Sequence, residues 1–319
     1  MTAKRHGVRK PFYLAAVSAL ASLVAGCTII GPPPPTKGDS RKTGGLSTTA
    51  PPTSSSRPTP SHSQSNGHNT KISPFVGLAN YLSGRQGRIT AAVYDNRTGK
   101  TWVFHPGVRQ ETASIVKVEI MGTAFWNAEH GQPLSAAQQA LLPPMIEQSD
   151  NTAATDLLAD VGGPPKVQHF DQLAGLTDTK VSTKQYIPGS TLPGWGLTLT
   201  TALDEVKLVR AFAYSNPLLT PANRQRGLTL MEHVESAQAW GVSGGSYGAL
   251  SGATVALKNG WLPHNLTAYT DWQVNSIGWV HGNGRDYVLA VLTTHNASEQ
   301  YGIDTIDEIA RSIYRQLGS

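Results

Sequence analysis

Two sets of strand-like segments lie at opposite ends of the folded part of this chain, with a long helical stretch between them. "RITAAVYDNRTGKTWVF" at 88–104 reads as two strands joined by a turn at Asp95–Gly99. "ATVALKNGW", "WQVNSIGWVHG" and "RDYVLAVLTTH" at 253–295 read as three more, with Gly282-Asn283-Gly284 as a hairpin turn. Strands need partners, and a lone hairpin is marginal in water. The economical solution is one antiparallel sheet that unites both ends of the chain. "SPFVGLANYLSG" before it predicts a helix with Ser73 as cap and Pro74 in the first turn. "GIDTIDEIARSIYRQLG" after it predicts an amphipathic closing helix. The predicted class is α/β (α+β): an antiparallel sheet flanked by the terminal helices, plus a helical lobe. That lobe includes helices in "DNTAATDLLADVGG", "TTALDEVKLVRAFAYS", capped by Thr200 or Thr201, and "TPANRQRGLTLMEHVESA".

The first 71 residues have another character. A basic start, "MTAKRHGVRK", precedes the apolar run "PFYLAAVSALASLVAG", which is short for a membrane span and suits a secretory leader. The leader ends at "LVAGC", which resembles a bacterial lipobox and makes Cys27, the single cysteine, the expected lipidation site. Residues 28–71 are rich in Pro, Ser, Thr and Gly and cannot bury enough apolar surface to offset their ordering entropy. The expected organisation is a signal peptide over 1–26, a lipid anchor and tether over 27–71, and a folded domain over 72–319. It implies export and anchoring to the outer face of the bacterial cytoplasmic membrane. Residues 1–70 carry eight of the 26 Lys and Arg and one of the 21 acids, so 71–319 hold 18 basic and 20 acidic groups. The positive net charge therefore belongs to the leader and tether, and no nucleic-acid footprint is expected.

Within "ETASIVKVEIMGTAFW", at 111–126, Lys117 stands in an otherwise apolar helical pattern, where an unpaired ammonium is costly. Ser114 lies three residues before it, so both polar heads can share a helix face. A buried lysine with a lowered pKa can serve as base for a serine hydroxyl. Taken alone, this S-x-x-K pair is equally a helix cap and a snorkelling lysine. Ser149-Asp150-Asn151 is by itself an ordinary N-cap, and Lys258-Asn259-Gly260 a charged strand end. Their order and element types change the weighing. S-x-x-K at a helix start, S-D-N in the helical lobe and K-x-G on a late strand form the motif set of class A β-lactamases and penicillin-binding proteins. Residues 72–319 resemble a class A β-lactamase-like serine hydrolase.

The resemblance implies roles. Ser114 matches the acylated nucleophile, Lys117 the lysine that helps deprotonate it, and Ser149 the proton shuttle to the leaving nitrogen. Asn151 matches the residue holding the ligand amide and Lys117. Lys258 matches the cation facing a substrate carboxylate, and the N–H groups of Ser114 and Trp261 the oxyanion hole, with Gly260 between. Asn259 replaces a hydroxyl residue, its amide still able to donate, and Trp261 stands where the family has a small residue. The stretch from Ser114 to Ser149 is short, implying a trimmed lobe. The family's deacylating glutamate has no counterpart, because no glutamate occurs from Thr152 to Asp204. Gln185 is nearest in character, and Asp156, Asp160, Asp171 and Asp178 fall in the interval.

The implied ligand is a β-lactam or a peptidoglycan-derived peptide, with efficient β-lactamase turnover not expected. A slow or non-hydrolytic binding lipoprotein and a D-alanyl-D-alanine peptidase or esterase remain open. "GVSGGSYG" follows a helical segment, so it is not read as a phosphate loop. The ten histidines are scattered and no H-E-x-x-H occurs, so neither a metal nor a cofactor is expected.

Overall fold

The computed structural model describes residues 73–318. The expected signal peptide, lipidation site Cys27 and expected tether lie outside the described residues. After a 3₁₀ turn the chain forms α1 (Ala79–Ser83), β1 (Arg88–Asp95), β2 (Lys100–Phe104) and the two-residue β3 (Gln110–Glu111). A second 3₁₀ turn, Ala113–Val116, leads into α2 (Lys117–Glu129). There follow α3 (Ala136–Glu147), α4 (Asn151–Asp160), α5 (Pro164–Leu173), the short β4 (Leu199–Thr200), α6 (Ala202–Ala213) and α7 (Pro221–Glu232). The chain closes with β5 (Thr254–Asn265), β6 (Thr270–Gly282), β7 (Arg285–Asn296) and α8 (Glu299–Leu317).

The main sheet is antiparallel in the order β2-β1-β7-β6-β5, so the first and last strands pair and join the two ends of the domain. Strand alternation gives it two buried faces. On β7, Tyr287, Leu289 and Val291 join α8 residues Ile306, Ile309 and Ile313 in one apolar cluster. Val288, Ala290 and Leu292 belong instead to the cluster built with α2 and α6. The terminal helices cover one face, as expected, and the helical lobe sits on the other.

Three local outcomes refine the expectations. The first predicted helix is short: Ser73 Oγ accepts from Phe75 N at 3.4 Å, and only α1 becomes α-helical. Its Leu82, with Phe75 and Leu78, still packs in the α8 cluster. Thr201 rather than Thr200 caps α6, accepting from Asp204 N at 3.2 Å. Asp150 alone caps α4, accepting from Ala153 N at 2.7 Å. That division leaves the side chains of Ser149 and Asn151 free of capping duty.

Candidate active site

Ser114 does not sit in the α-helix itself. It lies in the 3₁₀ turn that precedes it, with Lys117 as the first residue of α2. In 3₁₀ geometry residues i and i+3 nearly eclipse, so the pair meets more directly than on an α-helix. Lys117 Nζ is 3.1 Å from Ser114 Oγ. It also lies 3.0 Å from Ser149 Oγ and 2.9 Å from Asn151 Oδ1, and it donates to the Ser149 carbonyl. Lys258, on β5, brings a second ammonium to the same hydroxyl, with Nζ 3.0 Å from Ser149 Oγ. Ser149 thus stands between two lysines that come from opposite lobes.

Both lysines are fully buried. Burial, and secondarily the Lys258 charge, holds the Lys117 pKa well below the ordinary lysine range, with Asp150 opposing. Burial alone lowers Lys258 to about 7, against an opposing pull from Glu235. A neutral Lys117 amine would have two N–H bonds and one lone pair for the four oxygens within reach. Its two N–H bonds can satisfy the Ser149 carbonyl and Asn151 Oδ1, which only accept. The lone pair can then accept from one of the two hydroxyls, Ser114 or Ser149, to which a charged Lys117 donates instead. Such an amine is a positioned base for an otherwise weak nucleophile.

The backbone is shaped for this meeting. Ala113 has φ +47° and Ser149 φ +57°, a left-handed conformation that costs a non-glycine residue roughly 1–3 kcal/mol. Both residues adjoin or carry a hydroxyl of the cluster. Gly260 explains how β5 reaches Ser114. A Cβ there would lie 2.6 Å from Ser114 N and 2.7 Å from Thr112 O, so the strand backbone and the serine turn touch directly. Asn275 on β6 supports the turn from below, donating to the carbonyls of Glu111 and Thr112 at 2.8 and 3.0 Å. Its signal in the sequence is a polar residue at an inward position of an apolar strand.

A family model described as the beta-lactamase enzyme family matches residues 133–317. The chain belongs to the β-lactamase enzyme family. The match runs from before α3 into α8 and includes Ser149 and Lys258, whereas Ser114 and Lys117 are joined to them by the distances above. Solved structures share the fold. A class A β-lactamase from Bacteroides cellulosilyticus is 18% identical, with a TM-score of 0.65 over 77% of this chain and 97% of that one. An ancestral Gram-negative class A β-lactamase is 20% identical, with a TM-score of 0.62 over 76% and 99%. The TLA-3 extended-spectrum β-lactamase is 18% identical, with a TM-score of 0.66 over 77% and 99%. No curated protein matches the sequence.

A cavity of about 70 Å³ beside Ser114 is lined by Asn151, Ile187, Leu192, Trp195 and Trp261, among others, and by no carboxylate. Gln185 is exposed and instead approaches the Tyr186 hydroxyl, at 3.4 Å. Asp156 and Asp160 are exposed, Asp178 pairs with Arg109 at 3.1 Å, and Asp171 is buried among other acids. The residues that line the cavity from this loop, Ile187, Leu192, Pro193, Trp195 and Gly196, carry no carboxylate. Trp195 places its ring centre 5.0 Å from Lys117 Nζ and donates to Thr155 Oγ1. Trp261 narrows the cleft from the other side and meets Trp240 edge-on, ring centres 5.9 Å apart.

Asn259 requires a correction. It is fully buried, and its amide N–H groups donate to the carbonyls of Gln238 and Trp240 at 2.7 and 3.0 Å. Alternation along β5 turns it away from the face bearing Lys258, and both donors are used, so it has none left for a substrate carboxylate. A larger cavity of about 270 Å³, beside Lys207, Arg210 and Tyr214, includes none of these residues. Side-chain geometry rather than volume marks the site.

Proposed function

We propose that this protein is a lipid-anchored, exported acyl-transfer enzyme that forms a long-lived ester on Ser114 with a β-lactam or a peptidoglycan-derived amide. The observation that carries the reading is buried Lys117, within hydrogen-bond reach of Ser114, Ser149 and Asn151 at once. In this reading the neutral Lys117 amine takes the Ser114 proton as Oγ forms a bond to the carbonyl carbon. The oxyanion is received by the N–H groups of Ser114 and Trp261, which the close approach at Gly260 supports. As the C–N bond breaks, Ser149 Oγ passes a proton from Lys117 to the leaving nitrogen. Lys258 stabilises Ser149 and attracts a carboxylate on the ligand.

Deacylation is the weak step. Water must attack the ester, and the cavity beside Ser114 has Ile187 where a base would help. Losing a positioned general base costs ~10²–10⁴ in rate. The narrow cavity favours a second reading, a wall-binding module that turns over slowly or not at all, since ordinary ligand pockets run to roughly 300–1,000 Å³.

Intact-mass measurement of the protein after mixing with a penicillin, followed over time, separates these readings. The expected result is a stable adduct that Ser114→Ala abolishes while its circular dichroism is unchanged. A transient adduct with rapid product release would indicate an efficient β-lactamase, and no adduct the binding module. Anchoring is tested apart from chemistry: Cys27→Ala should lose membrane association in cell fractionation, and a variant that still behaves as a lipidated species would overturn it.

A further inference from the structure

The expectation that the histidines form no metal site rests on their spacing along the chain. The fold changes that spacing at one end of the sheet. His264 lies at the end of β5, Asp271 at the start of β6 and His295 at the end of β7, where the strands converge. Asp271 stands between the two rings, with Oδ1 2.8 Å from His295 Nδ1 and Oδ2 3.7 Å from His264 Nδ1. One ligand atom from each residue lies within 4.8 Å of the others. In a tetrahedral zinc site with bonds near 2.0 Å, neighbouring ligand atoms sit about 3.3 Å apart. One of these separations is shorter and the other longer than that value, and they run to different carboxylate oxygens, so side-chain rotation is needed to bring the donors onto one ion.

The surroundings orient the rings, while the Glu111 hydrogen bond and the Asp271 charge also raise the His264 pKa, so a metal ion must displace a proton there. Glu111 Oε2 lies 3.1 Å from His264 Nε2, on the far side of the ring from Asp271. A carboxylate accepting from Nε2–H leaves the Nδ1 lone pair directed at the cluster, the arrangement that orients metal-binding histidines. Asp271 at φ +59° and His295 at φ +60° both hold left-handed backbone that L-residues seldom adopt, and strand pairing on either side maintains it.

We propose that His264 Nδ1, the Asp271 carboxylate and His295 Nδ1 bind one divalent transition-metal ion of the zinc class, with Glu111 fixing the His264 ring from behind. Two imidazoles and a carboxylate suit zinc, copper(II) or nickel(II) rather than magnesium or calcium, which prefer oxygen donors. Three protein ligands leave an open coordination position. Binding requires the His295 proton to reside on Nε2, and that ring is exposed enough to hydrogen-bond water instead. The site adjoins the cleft. A cavity of about 280 Å³ is lined by Glu111, His264, Ile187 and Leu262, and the last two also line the Ser114 cavity. The ion site nevertheless stands independently of any reaction at Ser114.

The test is calorimetric titration of untagged, chelator-treated full-length protein with zinc chloride, with cobalt(II) absorption as a second readout. One ion per chain should bind at micromolar or tighter Kd, and magnesium should not compete. His264→Ala and His295→Gln should each weaken binding by about 100-fold, and Glu111→Gln by ~10–100-fold, as loss of a supporting carboxylate does. Both histidines are partly exposed, and circular dichroism checks that the variants remain folded. The proposal fails if zinc does not bind below millimolar concentration. It fails equally if both histidine variants bind as tightly as the original chain, or if magnesium displaces zinc.

Discussion

Lys117 and Lys258 are buried as completely as Glu119 and Glu205, yet the two groups of ionisable residues live in different surroundings. The lysines sit in a seam between sheet and helical lobe where each Nζ meets oxygens, from Ser114, Ser149, Asn151 or the Asn259 carbonyl. The acids lie within the helical lobe. Glu119 on α2, Asp171 on α5 and Glu205 on α6 are all buried with no hydrogen-bond partner at their carboxyl oxygens. Asp204 beside them differs, for it accepts from Lys207, Thr179 and the Asp178 N–H. Burial raises Glu119 well above the carboxylate range, helped by Glu205 and Asp171. It raises Asp171 to about 8, with Asp204 adding to the effect. Glu205 also rises to about 8, against a weaker opposing influence from the Thr200 hydroxyl. Hydrogen-bonded burial gives lysines with lowered pKa beside serine hydroxyls, whereas unpartnered burial gives carboxyls with raised pKa inside the packing. None of the three acids lines the Ser114 cavity.

The contrast can be broken most severely at the lysine. Lys117→Ala should slow acylation of Ser114 by ~10²–10⁴-fold, or roughly 3–5 kcal/mol of barrier, in stopped-flow or mass-spectrometric assays with a penicillin. An unchanged rate would mean that Ser149 or Lys258 is the base instead. Gly260→Ala comes next. Its methyl would meet backbone at the serine turn, a strain of about 1–3 kcal/mol, and acylation should fall by roughly ten- to a hundredfold. A fully active variant would show that β5 and the serine turn need not touch.

Supplying a carboxylate sharpens the same comparison. Ile187→Glu should shorten the lifetime of the acyl-enzyme by about tenfold or more, because it offers the water a base near Ser114. If adduct mass decays no faster, slow turnover has another cause.

The smallest effect is on stability, and the two regions carry opposite signs. For Asp171 and Glu205 the folded pKa lies above the unfolded one, so the native state binds more protons between about pH 4 and 8. Their contribution is present at low pH and lost as pH rises through about 8. For Lys258 the folded pKa of about 7 lies below the unfolded value, so the unfolded state binds more protons above pH 7 and stability rises with pH there. Each group can contribute at most about 1.4 kcal/mol per pH unit. In denaturant titrations Glu205→Gln should flatten the loss of stability between pH 5 and 9 by an amount on the order of 1 kcal/mol. Lys258→Met should instead steepen it. Parallel curves for all three proteins would show that these groups titrate as they do in the unfolded chain.

The sequence carried the architecture because its signals are local and periodic. Alternation marked the strands of 88–104 and 253–295. Spacing marked α6, α7 and α8, and a threonine cap marked the start of α6. Motif order joined Ser114, Lys117, Ser149 and Lys258 before any distance was known. Tertiary structure decided what no local pattern records. It assigned the cap of α4 to Asp150 and so released Ser149 and Asn151. It turned Asn259 into the wall, because strand alternation points it away from Lys258 and two carbonyls of a distant loop claim its donors. It brought Ile187 and Trp195 to the cavity from a loop without periodicity, and gathered His264, Asp271 and His295 at one strand end. Periodicity reports which face of its own element a residue occupies. What that residue touches depends on elements far away in the chain, and only the packed fold specifies those contacts.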